Sequence, residues 1–234
     1  MMDVGIWGEK RVAFDSVRFG IGATRLYCEL CEQHGWDGTV YAAGRGCRQD
    51  DWEYPDSPEE CYRFARGLFN RKHMKPFEFP SVIVGFRVPI FVARQIRTYQ
   101  NTAIERSARA CEPMEFNDKF LPPPEDPIFP ITVDALEKYT ALIQQGWKRQ
   151  EARRVWTVDF LTKVYHRIHV RQAFHMFDER LDAAAQGETQ NVIKSFYKIV
   201  KHCFPVLMQV YEESKGDEWK AKFLAETTTE KMIV

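Results

Sequence analysis

The sequence contains no uninterrupted apolar run approaching the roughly 18 residues that a membrane-spanning helix requires. Its first residues, Met1-Met2-Asp3-Val4-Gly5, lack the basic, apolar and small-residue regions of a secretory leader. No membrane partner is therefore expected, and the expected location is cytoplasmic. Net charge is missing too: 33 Lys and Arg balance 33 Asp and Glu. That balance argues against nucleic acid or another polyanion held by one broad positive field. Internal repeats and low-complexity tracts are absent. Gly20-Ile21-Gly22 is an isolated GxG without the remaining residues of a phosphate loop, and it reads as a turn. Six cysteines (Cys28, Cys31, Cys47, Cys61, Cys111, Cys203) are spread along the chain. Cys28 and Cys31, with His34 close by, form only half of a zinc site, so no metal is expected. The pair reads instead as two side chains on one helix face. Without a leader, reduced thiols are expected.

What is present suits a soluble globular protein: 234 residues, 44% hydrophobic and 28% charged, with volume for a substantial core. Residues 1–22 read as strands and turns, 23–34 as a helix, and 35–46 as a loop with a short strand near 39–43. Ser57-Pro58-Glu59-Glu60 is a strong helix start, with a capping hydroxyl, proline at the first position and acids at the positive end. The apolar spacing carries that helix to about residue 70. Ser81–Val88 alternates as a strand with Val82, Val84 and Phe86 on one face. A helix is expected over 90–101, then an extended proline-rich connection over 121–130. Helices at 132–146 and 148–160 precede a strand at 162–169. Helices at 171–183 and 189–213 close the core, and a charged tail (215–234) follows.

The densest chemistry lies between Arg87 and Arg109, where five arginines meet one acid for a local charge of +4. A second segment, 148–180, carries another +4. Arg97, Ser107 and Arg109 are able to donate several hydrogen bonds to one phosphate, with Arg94 in a structural role. Two other readings stand beside this one: a solvated basic helix face, and a nucleic-acid-binding helix at 90–109 that would show salt-dependent DNA binding.

Arg97-Thr98-Tyr99, seven residues and then Ser107-Ala108-Arg109 resembles the signature of the flavin-dependent thymidylate synthases, which is Arg-His-Arg, seven residues and Ser. Three further segments stand in register with that family. His73-Met74-Lys75-Pro76-Phe77-Glu78 is similar to its His-x-x-Pro-x-Glu segment. Pro89-Ile90-Phe91-Val92-Ala93-Arg94-Gln95 is similar to its approach to the signature. His169-Val170-Arg171, His175, Glu179-Arg180 and Ala185-Gln186-Gly187-Glu188 follow its C-terminal half. The resemblance covers about residues 40–212.

The resemblance implies an α+β fold, here a single domain over 1–234 with a central, mainly antiparallel sheet flanked by helices. It implies a homotetramer with active sites at subunit interfaces. The implied activity moves a methylene group from methylenetetrahydrofolate to C5 of dUMP, with FAD supplying hydride and NADPH reducing the flavin. Gln95, Arg97, Glu105, Ser107, Arg109 and Lys163 would surround the nucleotide, with Lys163 standing where the family has arginine. Arg180 would contact the pyrimidine carbonyls and stabilise charge developing on them. Arg180 and Ser107 are the expected catalytic pair, with Ser107 as a phosphate- or sugar-facing hydroxyl. His73, Lys75, Arg97, Tyr99, His169, Arg171 and His175 would approach the flavin, with Glu78 close to the site. No cysteine falls in the signature, which suits chemistry without an enzymic thiolate.

Besides Lys163, four positions depart from the pattern. Thr98 and Tyr99 replace basic or polar groups near the flavin, and Tyr99 is able to stack on a ring. Arg106 and Glu179 replace apolar residues. Glu179 could pair with Arg180 or read a ring amino group, which would favour cytosine over uracil. Three outcomes stay open: dTMP formation, hydroxymethylation of the pyrimidine, and nucleotide binding without catalysis.

Overall fold

The computed structural model describes residues 18–20, 27–47, 51–99, 102–105, 107, 124–182, 184–216 and 219. At its centre is a five-stranded sheet in the order β1-β2-β3-β5-β4, with every neighbouring pair antiparallel. The strands are β1 (Arg18–Gly20), β2 (Tyr27–His34), β3 (Ser81–Pro89), β4 (Thr102–Glu105) and β5 (Leu161–His169). The helices are α1 (Asp37–Gly46), α2 (Pro58–Asn70), α3 (Ile90–Ile96), α4 (Phe129–Gln144), α5 (Arg149–Ala152), α6 (Val170–Arg180), α7 (Gly187–Cys203) and α8 (Pro205–Glu213).

Period-two alternation explains the two central strands. Val82, Val84, Phe86 and Val88 all face inward from β3, opposite Ile168, His166, Val164 and Thr162 of β5. Phe86 meets Phe196 of α7 edge-on at 5.6 Å, and Phe177 of α6 joins them at 5.5 Å from Phe196. This face of the sheet therefore carries the main core. The other face presents Arg87, Lys163, Tyr165 and Arg167, and beside them Ile104 of β4. Ile104 and Tyr165 are registered opposite one another and are 68% and 41% exposed.

Several local expectations change. Residues 27–34 form a strand rather than a helix, because β2 fills the ladder between β1 and β3. A bulge between Leu30 and Glu32 breaks its alternation and leaves Cys31 exposed, while Cys28 is buried. The two thiols therefore do not share a helix face. The five described cysteines are all unpaired. Residues 37–46 form a helix, not a loop. Its small residues let it sink against α2, and the Asp37 carboxylate accepts the Leu207 N–H at 2.8 Å. Burial on several sides erases the amphipathic stripe by which a surface helix is recognised.

The helix at residue 90 stops at Ile96 rather than near 101. There the Thr98 hydroxyl donates to the Gln95 carbonyl at 2.7 Å, and the chain turns to insert Tyr99. The helix expected over 148–160 is one α-turn and a 3-10 turn, Arg153–Val155. Beyond it, Trp156 stacks on Phe160 at 5.3 Å, and the Phe160 carbonyl accepts the Ile90 N–H. Pro205 divides the last expected helix into α7 and α8, since it has no N–H to continue the ladder. The Ser57 cap is present as expected, accepting the Glu60 N–H at 3.1 Å. Among the described residues no helix is long and apolar enough to cross a membrane.

Candidate functional site

Three helices bring the signature residues together. Strand β3 feeds α3 through Pro89, and strand β5 feeds α6 through His169. The strands are antiparallel, so the two helices start from opposite ends of the sheet, and the turn after α3 meets the C-terminal end of α6 at Tyr99 and Arg180. The N-terminus of α7 lies alongside. The Gln95 amide donates to Gln186 Oε1 at 3.0 Å and accepts from the buried Thr189 hydroxyl at 3.0 Å. Thr189 was not singled out from the sequence, where a lone threonine in a polar stretch carries no signal.

Tyr99 lies at the centre of the next group. Only 6% exposed, it donates its hydroxyl hydrogen to Glu179 Oε2 at 2.8 Å and accepts from Arg180 Nε at 2.8 Å. The second Glu179 oxygen is 3.2 Å from His175 Nε2. The His175 ring meets the Tyr99 ring edge-to-face at 5.7 Å. Burial, and then the hydrogen bond to Glu179, push the Tyr99 phenol up to about 12, so it remains a neutral donor at physiological pH. Glu179 thus reaches Arg180 through a phenol rather than by direct pairing. Two positions that depart from the signature, 99 and 179, are in contact with each other. Arg180 uses Nε in this network, and its terminal nitrogens hold no carboxylate among the described residues.

His175 also lines a cleft of about 870 Å³ with Lys75, Glu78, His169, Arg171 and the aromatics Phe69, Phe174 and Tyr211. Phe174 and Tyr211 are stacked at 4.6 Å. Glu78 joins two of the expected cofactor residues: Lys75 Nζ lies 2.5 Å from one oxygen and Arg171 Nη1 2.6 Å from the other. Those bonds, Lys75 first, hold Glu78 below the usual carboxylate range. His169 caps α6, its Nδ1 accepting the Gln172 N–H at 3.0 Å. Burial lowers its pKa, in keeping with a neutral ring whose Nδ1 is an acceptor. His73, with Lys75 and Arg171, lines an adjoining cavity of about 420 Å³.

The remaining expected residues stand apart. Arg97 Nη1 pairs with Glu105 Oε2 at 2.6 Å, joining the end of α3 to β4. Ser107 is exposed just beyond β4. Arg106 and Arg109 lie outside the described residues. Lys163 projects from the opposite face of the sheet, 2.5 Å from Glu29 Oε1 and over the Tyr165 ring at 4.8 Å. Strand alternation is the reason: Val164 occupies the core face, so Lys163 cannot. One chain alone therefore does not bring Lys163 to Gln95. His166 was not anticipated. It is fully buried on the core face, and neither ring nitrogen has a hydrogen-bond partner among the described residues. Burial lowers its pKa to about 4, with the positive charge of Arg97 adding to the effect.

Comparison with known proteins decides the family. The family model for thymidylate synthase complementing protein matches residues 29–206, well over half of the chain. The chain belongs to that family. A flavin-dependent thymidylate synthase from Thermus thermophilus is 24% identical over 170 residues, covering 62% of this chain and 62% of the relative. The chain thus spans about three fifths of the length of that relative. One from Kosmotoga olearia is 26% identical over 200 residues, covering 74% of this chain and 86% of the relative. Among solved structures, a UMP/dUMP methylase, PolB, from Streptomyces cacaoi bound with 5-Br dUMP superposes with a TM-score of 0.66. It is 22% identical, covering 80% of this chain and 95% of that one, and the likeness extends to the fold. The thymidylate synthase complementing protein fold accounts for the antiparallel sheet.

Proposed function

We propose that the chain is a flavin-dependent enzyme that transfers a one-carbon unit from methylenetetrahydrofolate to C5 of dUMP, forming dTMP. FAD would be its cofactor and NADPH its reductant, in a cytoplasmic homotetramer. The observation that carries the reading is the convergence of Gln95, Tyr99, His175 and Arg180 beside a cleft lined by Lys75, His169 and Arg171, within this family. The cleft fits a flavin: Phe69, Phe174 and Tyr211 offer apolar surface to a planar ring, and the histidines and cations offer polar contacts. When bound, the reduced flavin supplies the hydride that completes the methyl group.

The chain's own residues do the rest. Carbon–carbon bond formation at C5 places negative charge on the pyrimidine carbonyl oxygens, and the Arg180 terminal nitrogens are the donors aimed at that charge. Tyr99 holds the guanidinium by Nε, so little reorganisation is needed as charge develops. Both Glu179 oxygens are engaged, by Tyr99 and His175, which supports uracil over cytosine as the base. Arg97, Ser107, Arg109 and Glu105 are assigned to the nucleotide's phosphate and sugar. The exposed Ile104–Tyr165 pair supports assembly through the open sheet face. Lys163 lies on that face, so assembly offers it a route to a neighbouring subunit's nucleotide.

The test is incubation with dUMP and methylenetetrahydrofolate, with and without FAD and NADPH, followed by mass spectrometry of the nucleotide. A methyl group gained only with flavin and reductant is expected. Hydroxymethyl gained without flavin, or binding without product, would replace this reading.

A further inference from the structure

Lys72 is the one non-glycine residue with positive φ among the described residues, at 60°. It follows α2, where the Lys72 N–H bonds the Phe69 carbonyl and the His73 N–H bonds the Leu68 carbonyl. This closure requires a left-handed residue, and glycine fills such positions without strain. A lysine there is costly to the fold, and its side chain enters the lining of both the larger cleft and the adjoining cavity.

The two spaces differ in charge. The larger one includes Glu78 and Asp178 in its lining. The smaller is lined by Lys72, His73, Lys75 and Arg171, with Cys47 at its wall and no carboxylate among its lining residues. Lys75 and Arg171 share Glu78, and Lys215 holds Asp178, whereas no acid pairs with Lys72 among the described residues. Lys72, Lys75 and Arg171 against Glu78 leave two net positive charges. That matches a dianion.

Building on the flavin reading, we infer that the smaller cavity is a subsite for a diphosphate or similarly charged phosphate group, and that Lys72 is its unshared anchor. The planar part of the same ligand then lies in the larger cleft, which is continuous with the cavity through Lys72, Met74, Lys75 and Arg171. The strained lysine is retained for binding, at a cost to stability.

The experiment compares the wild-type chain with Lys72→Gln and Lys72→Gly, using FAD, riboflavin and inorganic pyrophosphate as probes. Calorimetry gives affinity, and the rate of Cys47 alkylation by peptide mass mapping gives location, with the exposed Cys31 as internal control. Both variants are expected to bind pyrophosphate and FAD about tenfold more weakly, with riboflavin unchanged. Pyrophosphate should protect Cys47 and leave Cys31 reactive. Lys72→Gly should also raise Tm by about 2–4 °C through relief of backbone strain, so binding and stability move in opposite directions. If wild type binds pyrophosphate through Lys72 but binds no flavin, the flavin reading falls and the anion site stands. Failure of wild type to bind pyrophosphate, equal affinity in all three proteins, or a parallel loss for riboflavin would overturn the inference.

Discussion

Tyr99→Phe removes one oxygen and keeps the ring that packs against His175. That oxygen makes two hydrogen bonds of 2.8 Å, each to an ionised group, in a position almost excluded from water. A bond to a charged partner contributes about 1.5–3 kcal/mol, so losing both would remove about 3–6 kcal/mol, a large part of the roughly 5–15 kcal/mol by which a domain is stable. The full cost is not expected. Glu179 and Arg180 flank the same missing atom, and a small shift lets them pair directly, limiting the destabilisation to about 1–2 kcal/mol. That shift is the functional damage. It turns the guanidinium toward Glu179 and away from the pyrimidine, so kcat should fall about 10–100-fold, or about 1.4–2.8 kcal/mol of barrier. KM for the nucleotide should change little, because the contact strengthens only as charge develops. Tritium release from C5-labelled dUMP measures both parameters, and urea titration gives stability separately. Glu179→Gln keeps an acceptor for the phenol but removes the charge, and is expected to retain more activity than Tyr99→Phe. A Tyr99→Phe enzyme with wild-type kcat would refute the positioning argument, as would a kcat loss fully restored on cooling to where the variant is as stable as wild type.

Three further outcomes follow from burial and packing. Burial pushes Asp37 from its ordinary 3.8 to about 7, so between these values the folded chain keeps a proton that the unfolded chain has lost. Its contribution to stability is present at low pH and lost as pH rises through about 7, and Asp37→Asn should remove an apparent fall on the order of 2–4 kcal/mol in urea titrations from pH 4 to 8. His166 acts with the opposite sign: held at about 4, it refuses a proton that the unfolded chain accepts below about 6.5. Stability should therefore fall by about 2–3 kcal/mol on acidification through that window, and His166→Leu should abolish the fall. Gly44→Ala would place a Cβ 2.7 Å from Phe64 Cε1 and 3.1 Å from Leu68 Cδ1, and should lower stability by about 1–3 kcal/mol in thermal denaturation.

Local chemistry made much of this protein legible in advance. The Ser57-Pro58 cap, the alternation of β3 and β5 and the Pro89 start of α3 each follow from interactions within a few residues, so the pattern carries the structure. The arginine-and-serine spacing likewise pointed to a nucleotide site, and the order of motifs pointed to the family. What the sequence could not contain was the choice of partners across long separations. Residues 27–34 read as a helix until β1 and β3 claimed their backbone groups, and residues 37–46 read as a loop because burial on several sides left no stripe. Position 99 offered a lost cation, and position 179 an acid next to a needed arginine. Only the placing of the turn after α3 beside the C-terminal end of α6 turned them into a hydrogen-bonded pair eighty residues apart that holds Arg180. Strand parity, equally, is local information, but which face receives the helices is not, and that alone sent Lys163 to Glu29 and not to Gln95. The sequence by itself determined which charged and aromatic groups are available. The tertiary structure decided which of them face one another, because electrostatic and hydrogen-bond energies depend on distances of a few ångströms that chain order does not encode.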